Sequence, residues 1–237
     1  YKANQEQTSI IYGYDSNKQL VELLRLHGAQ NRVWIDYKDI PKDMINAFRD
    51  LEDKRFNEHK GVDWIRTIGV LVVPENLGQG GSTITQQLIK NLTNQRAATT
   101  VRKFNEILTA LNLEVHYDKD TIIEAYLNTL YLGSGCYGVK TASQEYFGKD
   151  VSQINLAEAA CIASITKAPY TYDPLIDPEE NEKRREEKCL AAMLEEGYID
   201  QALYDEAVAH EIIFTNSENY VPDKKAEEEK ATGTSEI

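Results

Sequence analysis

The sequence predicts a mostly α-helical protein with a short extended segment at its N-terminal end. Apolar residues recur at helical spacing over most of the 237 residues. Runs rich in β-branched residues occur early, at 9–14 and 32–35, within a lead-in of 8–38 that we expect to be extended. No apolar run approaches ~18 residues, so none is predicted to span a bilayer.

Proline, glycine and capping residues divide the helical part into separate elements. The first helix begins near Pro41, because proline is tolerated in the first turn of a helix. The second covers 62–73 and ends at Pro74, which cannot continue a helix. Further helices are predicted from 82 or 83 onwards, at 100–117, 121–131, through 146–149, at 156–165 and in pieces from 179 to about 213.

The charge is unevenly distributed along the chain. The net charge of -13 argues against binding to nucleic acids. Residues 54–103, however, contain eight Lys or Arg against three Asp or Glu. A basic region in an acidic protein suggests a localised anionic ligand, and a solvated basic surface is the alternative.

The cysteines and histidines predict neither a disulfide framework nor a metal site. The three cysteines are widely spaced and odd in number, and the four histidines are scattered. Cys161 stands among alanines and isoleucine, which favours a small buried hydrophobic side chain.

A carboxylate lies beside the apolar stripe of the first helix. Glu52 follows Phe48 by four residues and precedes Phe56 by four, whereas Asp53 is turned ~100° away. An acid flanked by aromatic residues is partly desolvated, as suits a general base or acid. A surface glutamate on a charged helix face is the alternative.

A glycine-rich loop leads into a helix rich in hydroxyl and amide groups. Gly78, Gly80 and Gly81 allow a tight backbone, and Thr83–Gln86 has the spacing of a capping box. The free N–H groups at such a helix start favour an anion such as phosphate, and Lys90 lies on the same helix. The Walker-type ending is missing, and a mobile loop with a routine cap is the alternative.

Two further patterns carry acidic residues. Arg102 and Glu106 are four apart, so they predict either a surface ion pair or a second carboxylate held by arginine near a diphosphate. Asp118 and Asp120 match the Asp-x-Asp metal motif of nucleotide-sugar transferases. We interpret Asp120 instead as the cap of the helix at 121–131.

Five blocks of residues, in order along 40–174, resemble those of the family 51 peptidoglycan glycosyltransferases, found in class A penicillin-binding proteins and monofunctional murein polymerases. The blocks are Glu52-Asp53-x-x-Phe56-x-x-His59-x-Gly61; Gly81-Ser82-Thr83-Ile84-Thr85-Gln86-Gln87-Leu88-x-Lys90-Asn91; Arg102-Lys103-x-x-Glu106 with Leu113-Glu114; Ile123-Glu124-x-Tyr126-Leu127-Asn128 through Tyr146-Phe147-Gly148-Lys149; and Glu158-Ala159-Ala160 through Pro169 and Pro174.

The resemblance implies a lysozyme-like, two-lobed helical fold with a head and a small membrane-facing jaw. The implied substrates are lipid II and the growing glycan strand. Glu52 would be the general base that activates the 4-hydroxyl of N-acetylglucosamine, for transfer with inversion and release of undecaprenyl diphosphate. Lys90 and Arg102 would stabilise that leaving group. Glu106 would be the second acidic residue of the catalytic site, with three alternative roles: to orient Arg102, to bind a divalent cation at the diphosphate, or to act as a proton partner.

The resemblance also implies further substrate contacts, a metal ion and a cellular location. The residues expected to bind substrate or diphosphate besides Lys90 and Arg102 are Gln87, Ser82, Thr83, Lys103, His59 and Asp53. A divalent cation, Mg²⁺ or Mn²⁺, is a further expectation at the diphosphate. The expected location is the extracytoplasmic face of the bacterial membrane. The expected partners include a linked transpeptidase domain and no nucleic acid.

The expected organisation has three parts. Residues 1–38 form a lead-in after a membrane anchor, 39–215 the glycosyltransferase domain, and 216–237 a disordered linker or cut end. Two rival functions remain at this stage. One is a lysozyme-like enzyme that cleaves peptidoglycan, and the other is a non-catalytic module that binds lipid-linked precursors.

Overall fold

The computed structural model describes residues 9–14, 20–26, 31–72, 81–93 and 99–222, and these residues are mostly helical. The helices are α1 Lys42–Glu52, α2 Trp64–Val72, α3 Ile84–Thr93, α4 Thr100–His116, α5 Lys119–Thr129, α6 Val139–Phe147, α7 Leu156–Ser164, α8 Pro178–Arg184, α9 Ala191–Glu195 and α10 Gln201–Ala209. A π-helical turn, Arg185–Leu190, joins α8 to α9. The prediction of a mostly α fold is confirmed.

Short strands lie near the N-terminal end, as the sequence predicts. Strands β1 (Ser9–Tyr14) and β2 (Leu20–Leu26) form an antiparallel pair. Strand β3 (Asn31–Arg32) pairs in parallel with β4 (Cys136–Tyr137). Within the described residues, no helix is both long and apolar enough to cross a membrane.

The core has one large part and one small part. Helix α7 is buried along its length and packs on α1 and on the π-helical turn, because its alanines allow close approach. A separate cluster of Val62, Ile89 and Ala110 joins α3 and α4 to the loop before α2. All three cysteines are buried and unpaired, and the prediction for Cys161 is confirmed.

Polar residues of α5 hold the segment before α1. Asn128 accepts a hydrogen bond from the N–H of Ile35 and donates one to its carbonyl, both at 2.8 Å. Glu124 accepts from the indole of Trp34 at 3.1 Å and from the backbone N–H of Tyr37 at 2.7 Å. The Glu-x-Tyr-Leu-Asn block thus fixes where α1 begins relative to α5.

The residue that caps α5 differs from the one predicted from the sequence. The carboxylate of Asp118, not of Asp120, accepts the N–H of Thr121 at 2.8 Å, and the helix begins at Lys119. The hydrogen bonds of the cap lower the pKa of Asp118. Asp120 lies inside the first turn, where a negative charge suits the helix dipole.

Residues beyond 215 are packed further than the sequence indicates. The N–H of Thr215 donates to the carbonyl of Tyr146 at 2.9 Å, and Asn216 donates to the carbonyl of Leu175 at 3.2 Å. Tyr220 covers Gly148, leaving no room there for a side chain. These contacts join the segment after 214 to α6 and to Leu175. The three-part division remains a prediction, and 223–237 lie outside the described residues.

Gly61 sets how closely the loop after α1 approaches α4. Its φ is 88°, in the left-handed region, and a Cβ would come within 2.5 Å of the carbonyl oxygen of Ala110. Gly135 has a similar φ of 76°, but a Cβ there would meet nothing within 4 Å. Alanine substitutions at Gly61 and Gly135 therefore distinguish the energetic cost of backbone strain from that of a steric clash.

We expect Gly61→Ala to lower the free energy of unfolding by about 2–5 kcal/mol, since strain and overpacking add. Gly135→Ala should cost about 1–2 kcal/mol, because only the strain applies. Urea unfolding of both variants measures the difference. Equal losses at the two positions would mean that the approach to Ala110 is unimportant.

Candidate active site

Glu52 is the last residue of α1, and both oxygens of its carboxylate accept hydrogen bonds. Gln87 Nε2 donates to Oε2 at 2.9 Å, and Thr166 Oγ1 donates to Oε1 at 2.7 Å. The backbone carbonyl of Glu52 accepts from Arg66 Nη1 at 2.5 Å, which satisfies one free carbonyl at the helix end. Helical spacing indicated only aromatic neighbours, whereas the structure adds polar groups from three other elements.

Tyr126 fixes which way the amide of Gln87 points. Tyr126 is fully buried, and its hydroxyl donates to Gln87 Oε1 at 3.0 Å. The amide nitrogen therefore faces Glu52. Burial, together with the negative charges of Glu52 and Asp53, raises the pKa of Tyr126 well above its ordinary value, so this hydroxyl remains a donor.

Asp53 is fully buried and binds groups of the protein itself. Its Oδ2 accepts the N–H of Ile84, the first residue of α3, at 2.9 Å. Nε2 of His59 lies 3.0 Å from the same oxygen and 3.1 Å from the other. A negative charge at a helix N-terminus is stabilising, so Asp53 caps α3 from outside it.

The start of α3 shows the predicted capping box. The N–H of Gln86 donates to Thr83 Oγ1 at 3.2 Å, and the N–H of Thr83 donates to Gln86 Oε1 at 3.0 Å. The hydroxyl of Thr83 in turn donates to the carbonyl of Gly61 at 2.7 Å. The N–H groups of Thr83, Ile84 and Gln86 thus have partners inside the protein. The phosphate expected at this helix start stays a prediction.

A cationic cluster lies at the first turns of α4. Glu106 is buried, and its two oxygens bind Arg102 Nη1 at 2.6 Å and Lys103 Nζ at 2.5 Å. Lys103 Nζ also donates to Ser82 Oγ at 2.9 Å, which ties the residue before Thr83 to this helix. The predicted pairing of Arg102 with Glu106 is present, and it is part of a network rather than an isolated surface pair.

Lys90 lies on the exposed side of α3. It follows Gln87 by three residues, so the two side chains lie on neighbouring positions of the helix surface. Within the described part of the chain, its ammonium group pairs with no acidic residue. Lys90 is therefore accessible to an anion that approaches the surface of α3 near Gln87.

The residues that the structure describes bring together no ready set of ligands for a divalent cation, and a cation at the diphosphate stays a prediction. Both oxygens of Glu106 are occupied by cationic side chains. No group of three metal-ligating side chains occurs among the residues that the structure describes. Mg²⁺ commonly takes one or two carboxylates together with substrate phosphates, and here such a carboxylate would first have to leave its cationic partners.

The sequence-predicted residues fall into four sets. Glu52 and Gln87 meet directly, and Ser82, Arg102, Lys103 and Glu106 form the cationic cluster. Asp53, His59 and Thr83 bond within the protein, and Lys90 is exposed on α3. Sequence reasoning missed Thr166 as a partner of Glu52. The two residues are 114 positions apart and no local pattern relates them.

One cavity lies away from this site. It has a volume of about 510 Å³ and lies between the C-terminal end of α6 and the segment 210–221. Its lining includes none of the predicted site residues, and its Lys149 is bonded to its Glu158 at 2.6 Å. The cavity therefore adds no group to the site around Glu52.

The fold and the site together define a class of protein. A mostly helical domain holds a glutamate between two hydrogen-bond donors, one of them on α3. The cationic cluster of α4 is bonded to the start of α3, and Lys90 lies in the last turn of that helix. Residues 17–194 match the family model described as transglycosylase, and the chain belongs to this family.

Relatives of known name support the same assignment. The chain is 45% identical over 198 residues to penicillin-binding protein 1A of Aquifex aeolicus, covering 82% of this chain and 27% of that protein. It is 44% identical over 175 residues to penicillin-binding protein 1F of Bacillus subtilis, covering 72% and 24%. The chain thus spans about a quarter of the length of these relatives.

A solved structure shows the same fold. The crystal structure of penicillin-binding protein 1A from Haemophilus influenzae matches 95% of this chain and 24% of that one, with a TM-score of 0.51 and 24% identity. The family resemblance read from the five blocks is therefore confirmed.

The loop after α1 contains an ion pair that makes stability depend on pH. Asp63 caps α2 through the N–H of Arg66 at 2.9 Å and binds Arg55 Nε at 3.0 Å. Burial opposes ionisation of Asp63, but the hydrogen bonds from Arg55 and Arg66 outweigh it and lower the pKa of Asp63.

A lowered pKa means that the ionised form contributes stability above the unfolded value of about 3.9, which is lost as pH falls through the folded value. We expect Asp63→Asn, which keeps a capping side chain, to be less stable than wild type at neutral pH. The difference should shrink as the pH falls below about 4. Urea unfolding from pH 7 to pH 3 measures it, and a constant difference would contradict this account.

Proposed function

We propose that this domain polymerises peptidoglycan glycan strands from lipid II. The observation that carries the proposal is the carboxylate of Glu52, held at both oxygens beside a helix that presents Lys90. Membership of the transglycosylase family and the names of the relatives support the reaction class. The roles below are our assignments for this chain.

Glu52 is the general base in the proposed reaction. It takes the proton of the 4-hydroxyl of the acceptor N-acetylglucosamine as that oxygen bonds to the anomeric carbon of the donor. The bond from that carbon to the diphosphate breaks on the opposite face, so the configuration inverts. Undecaprenyl diphosphate leaves with the bonding electrons, and no covalent enzyme intermediate is required.

The positive charge for the leaving group comes from side chains. Lys90, Arg102 and Lys103 stabilise the charge that develops on the diphosphate, and Ser82 contributes a hydroxyl beside them. Glu106 holds the two α4 cations in place rather than acting as a base, since each of its oxygens already binds one. No step is assigned to a divalent cation.

Three of the predicted binding residues act through others. Asp53 and Thr83 are buried and His59 is half-buried, and their bonds hold α3 against the end of α1. In the proposed function they position Gln87 and Lys90 relative to Glu52. A direct contact of Asp53 or Thr83 with diphosphate would require these internal bonds to break first.

We expect Glu52→Gln to abolish polymer formation while lipid II still binds, because the amide cannot accept the proton. Lys90→Ala and Arg102→Ala should each lose about 2–4 kcal/mol of transition-state stabilisation, the range for one electrostatic contact. Lys38→Ala, which removes a highly exposed lysine of the lead-in, is the charge-matched control. Gel analysis of products from lipid II in detergent gives the rates.

The same assay separates the rival functions. A peptidoglycan-cleaving enzyme would shorten a pre-made glycan and make no polymer from lipid II. A binding module would retain lipid II without turnover. Normal polymerisation by Glu52→Gln would remove Glu52 as the base.

We also infer that the domain works on the membrane surface, at its extracytoplasmic face. Helix α4 exposes Val101, Phe104 and Leu108, which follow one another at helical spacing. Helix α2 exposes Trp64, Ile65 and Ile68. Trp64, Ile65 and Leu111 line one cavity, so the two helices share an edge. Exposed apolar surface of this extent is typical of an interaction with a membrane or a partner.

Phe104→Ser should lower binding to vesicles of bacterial phospholipid and lower the polymerisation rate on vesicles, because apolar area no longer enters the interface. Leu203→Ser, which changes an exposed leucine on α10, should change neither. Vesicle co-sedimentation measures binding. An effect of equal size in the two variants would argue against this surface.

The relatives are about four times longer than the part that matches. We propose that this domain acts within such a longer protein, linked to a transpeptidase domain.

A further inference from the structure

The hydroxyl of Thr166 is the feature that neither the motifs nor the family blocks assign. Thr166 lies on a single 3-10 turn, Ile165–Lys167, that directly follows α7. Its Oγ1 lies 2.7 Å from Glu52 Oε1 and 2.9 Å from the carbonyl oxygen of Ala163. The side chain thus connects the large core to the carboxylate that the proposed reaction uses as its base.

A threonine hydroxyl has one proton and two lone pairs, so it can donate to one of these oxygens at a time. When Glu52 is ionised, the hydroxyl donates to it, because a bond to a charged acceptor is about twice as strong as one to a carbonyl. When Glu52 carries a proton, that proton can be donated to Oγ1 while the hydroxyl turns to Ala163. Neither state leaves a buried donor unpaired.

The two donors to Glu52 come from different parts of the fold. Gln87 approaches from α3, and Thr166 approaches from the end of α7. Rotation of the carboxylate would break one or both bonds, so together they define its plane. An ionised carboxylate has about four lone-pair positions, which leaves room for the hydroxyl of an acceptor sugar.

We propose that Thr166 is a positioning residue for Glu52. It orients the carboxylate towards the acceptor hydroxyl. This inference rests on the proposed function, because it assigns Thr166 a role only if Glu52 is the base. Thr166 contacts no substrate in this account, so its loss should affect turnover and not affinity.

The test compares Thr166→Val, which keeps the shape but removes the hydroxyl, with Thr166→Ser, which keeps the hydroxyl. Thr166→Val should lower kcat about 10-fold, from the loss of one hydrogen bond to a charged group, with KM for lipid II unchanged. Thr166→Ser should restore most of kcat, because it keeps the hydroxyl that donates to Glu52.

Thr109→Val is the matched control, since the hydroxyl of Thr109 donates only to its own helix, to Asn105 at 2.8 Å. Thermal unfolding of each variant checks that folding is intact. An unchanged kcat in Thr166→Val, a rise in KM of the same size as the loss of kcat, or equal losses in the valine and serine variants, would overturn the inference.

Wild type and Glu52→Gln are assayed alongside these variants. If wild type forms polymer and Glu52→Gln does not, the proposed function stands whatever Thr166→Val does. If wild type forms none, the proposed function fails and the inference falls with it.

Discussion

The arrangement of the site depends on one buried carboxylate. Asp53 follows Glu52 at the end of α1, and it accepts the first N–H of α3 and a hydrogen bond from His59. Asp53 both ends α1 and caps α3. Because of this double role, Glu52 and Gln87 are held at hydrogen-bonding distance. A buried carboxylate is costly unless its oxygens are paired, and here the helix N-terminus and the imidazole supply the partners.

This junction is closed on its other side by a close backbone approach. Gly61 lies against Ala110 of α4, and its carbonyl accepts the hydroxyl of Thr83 at the start of α3. Three elements therefore meet at a residue without a side chain. The same packing brings Ser82 to Lys103, so the cationic cluster of α4 is connected to the helix that carries Lys90.

Much of the local structure followed from short-range patterns. The capping box at Thr83 and Gln86 was readable because both partners lie within one turn of the chain. The pairing of Arg102 with Glu106 was readable for the same reason. The cap of α5 was misplaced by two residues, since Asp118 and Asp120 both suit a helix start and only the backbone direction distinguishes them.

Long-range partners were not readable in this way. Nothing near Glu52 in the sequence points to Thr166, and the helical spacing around Glu52 suggested apolar neighbours alone. Asp53, His59 and Thr83 were read as ligand contacts because they belong to the same blocks as Glu52 and Lys90. The structure shows instead that these residues also bond within the protein, to the start of α3 and to the loop after α1.

The sequence by itself determined the helical class, the main helices, the family and the residue types at the site, because these depend on periodicity and on contiguous blocks. Only the tertiary structure decided which of those residues are bonded to one another within the protein. That choice depends on contacts between α1, α3, α4 and the end of α7, and the identity of a residue does not state its distance from residues of another element. Thr166 beside Glu52 is the clearest case.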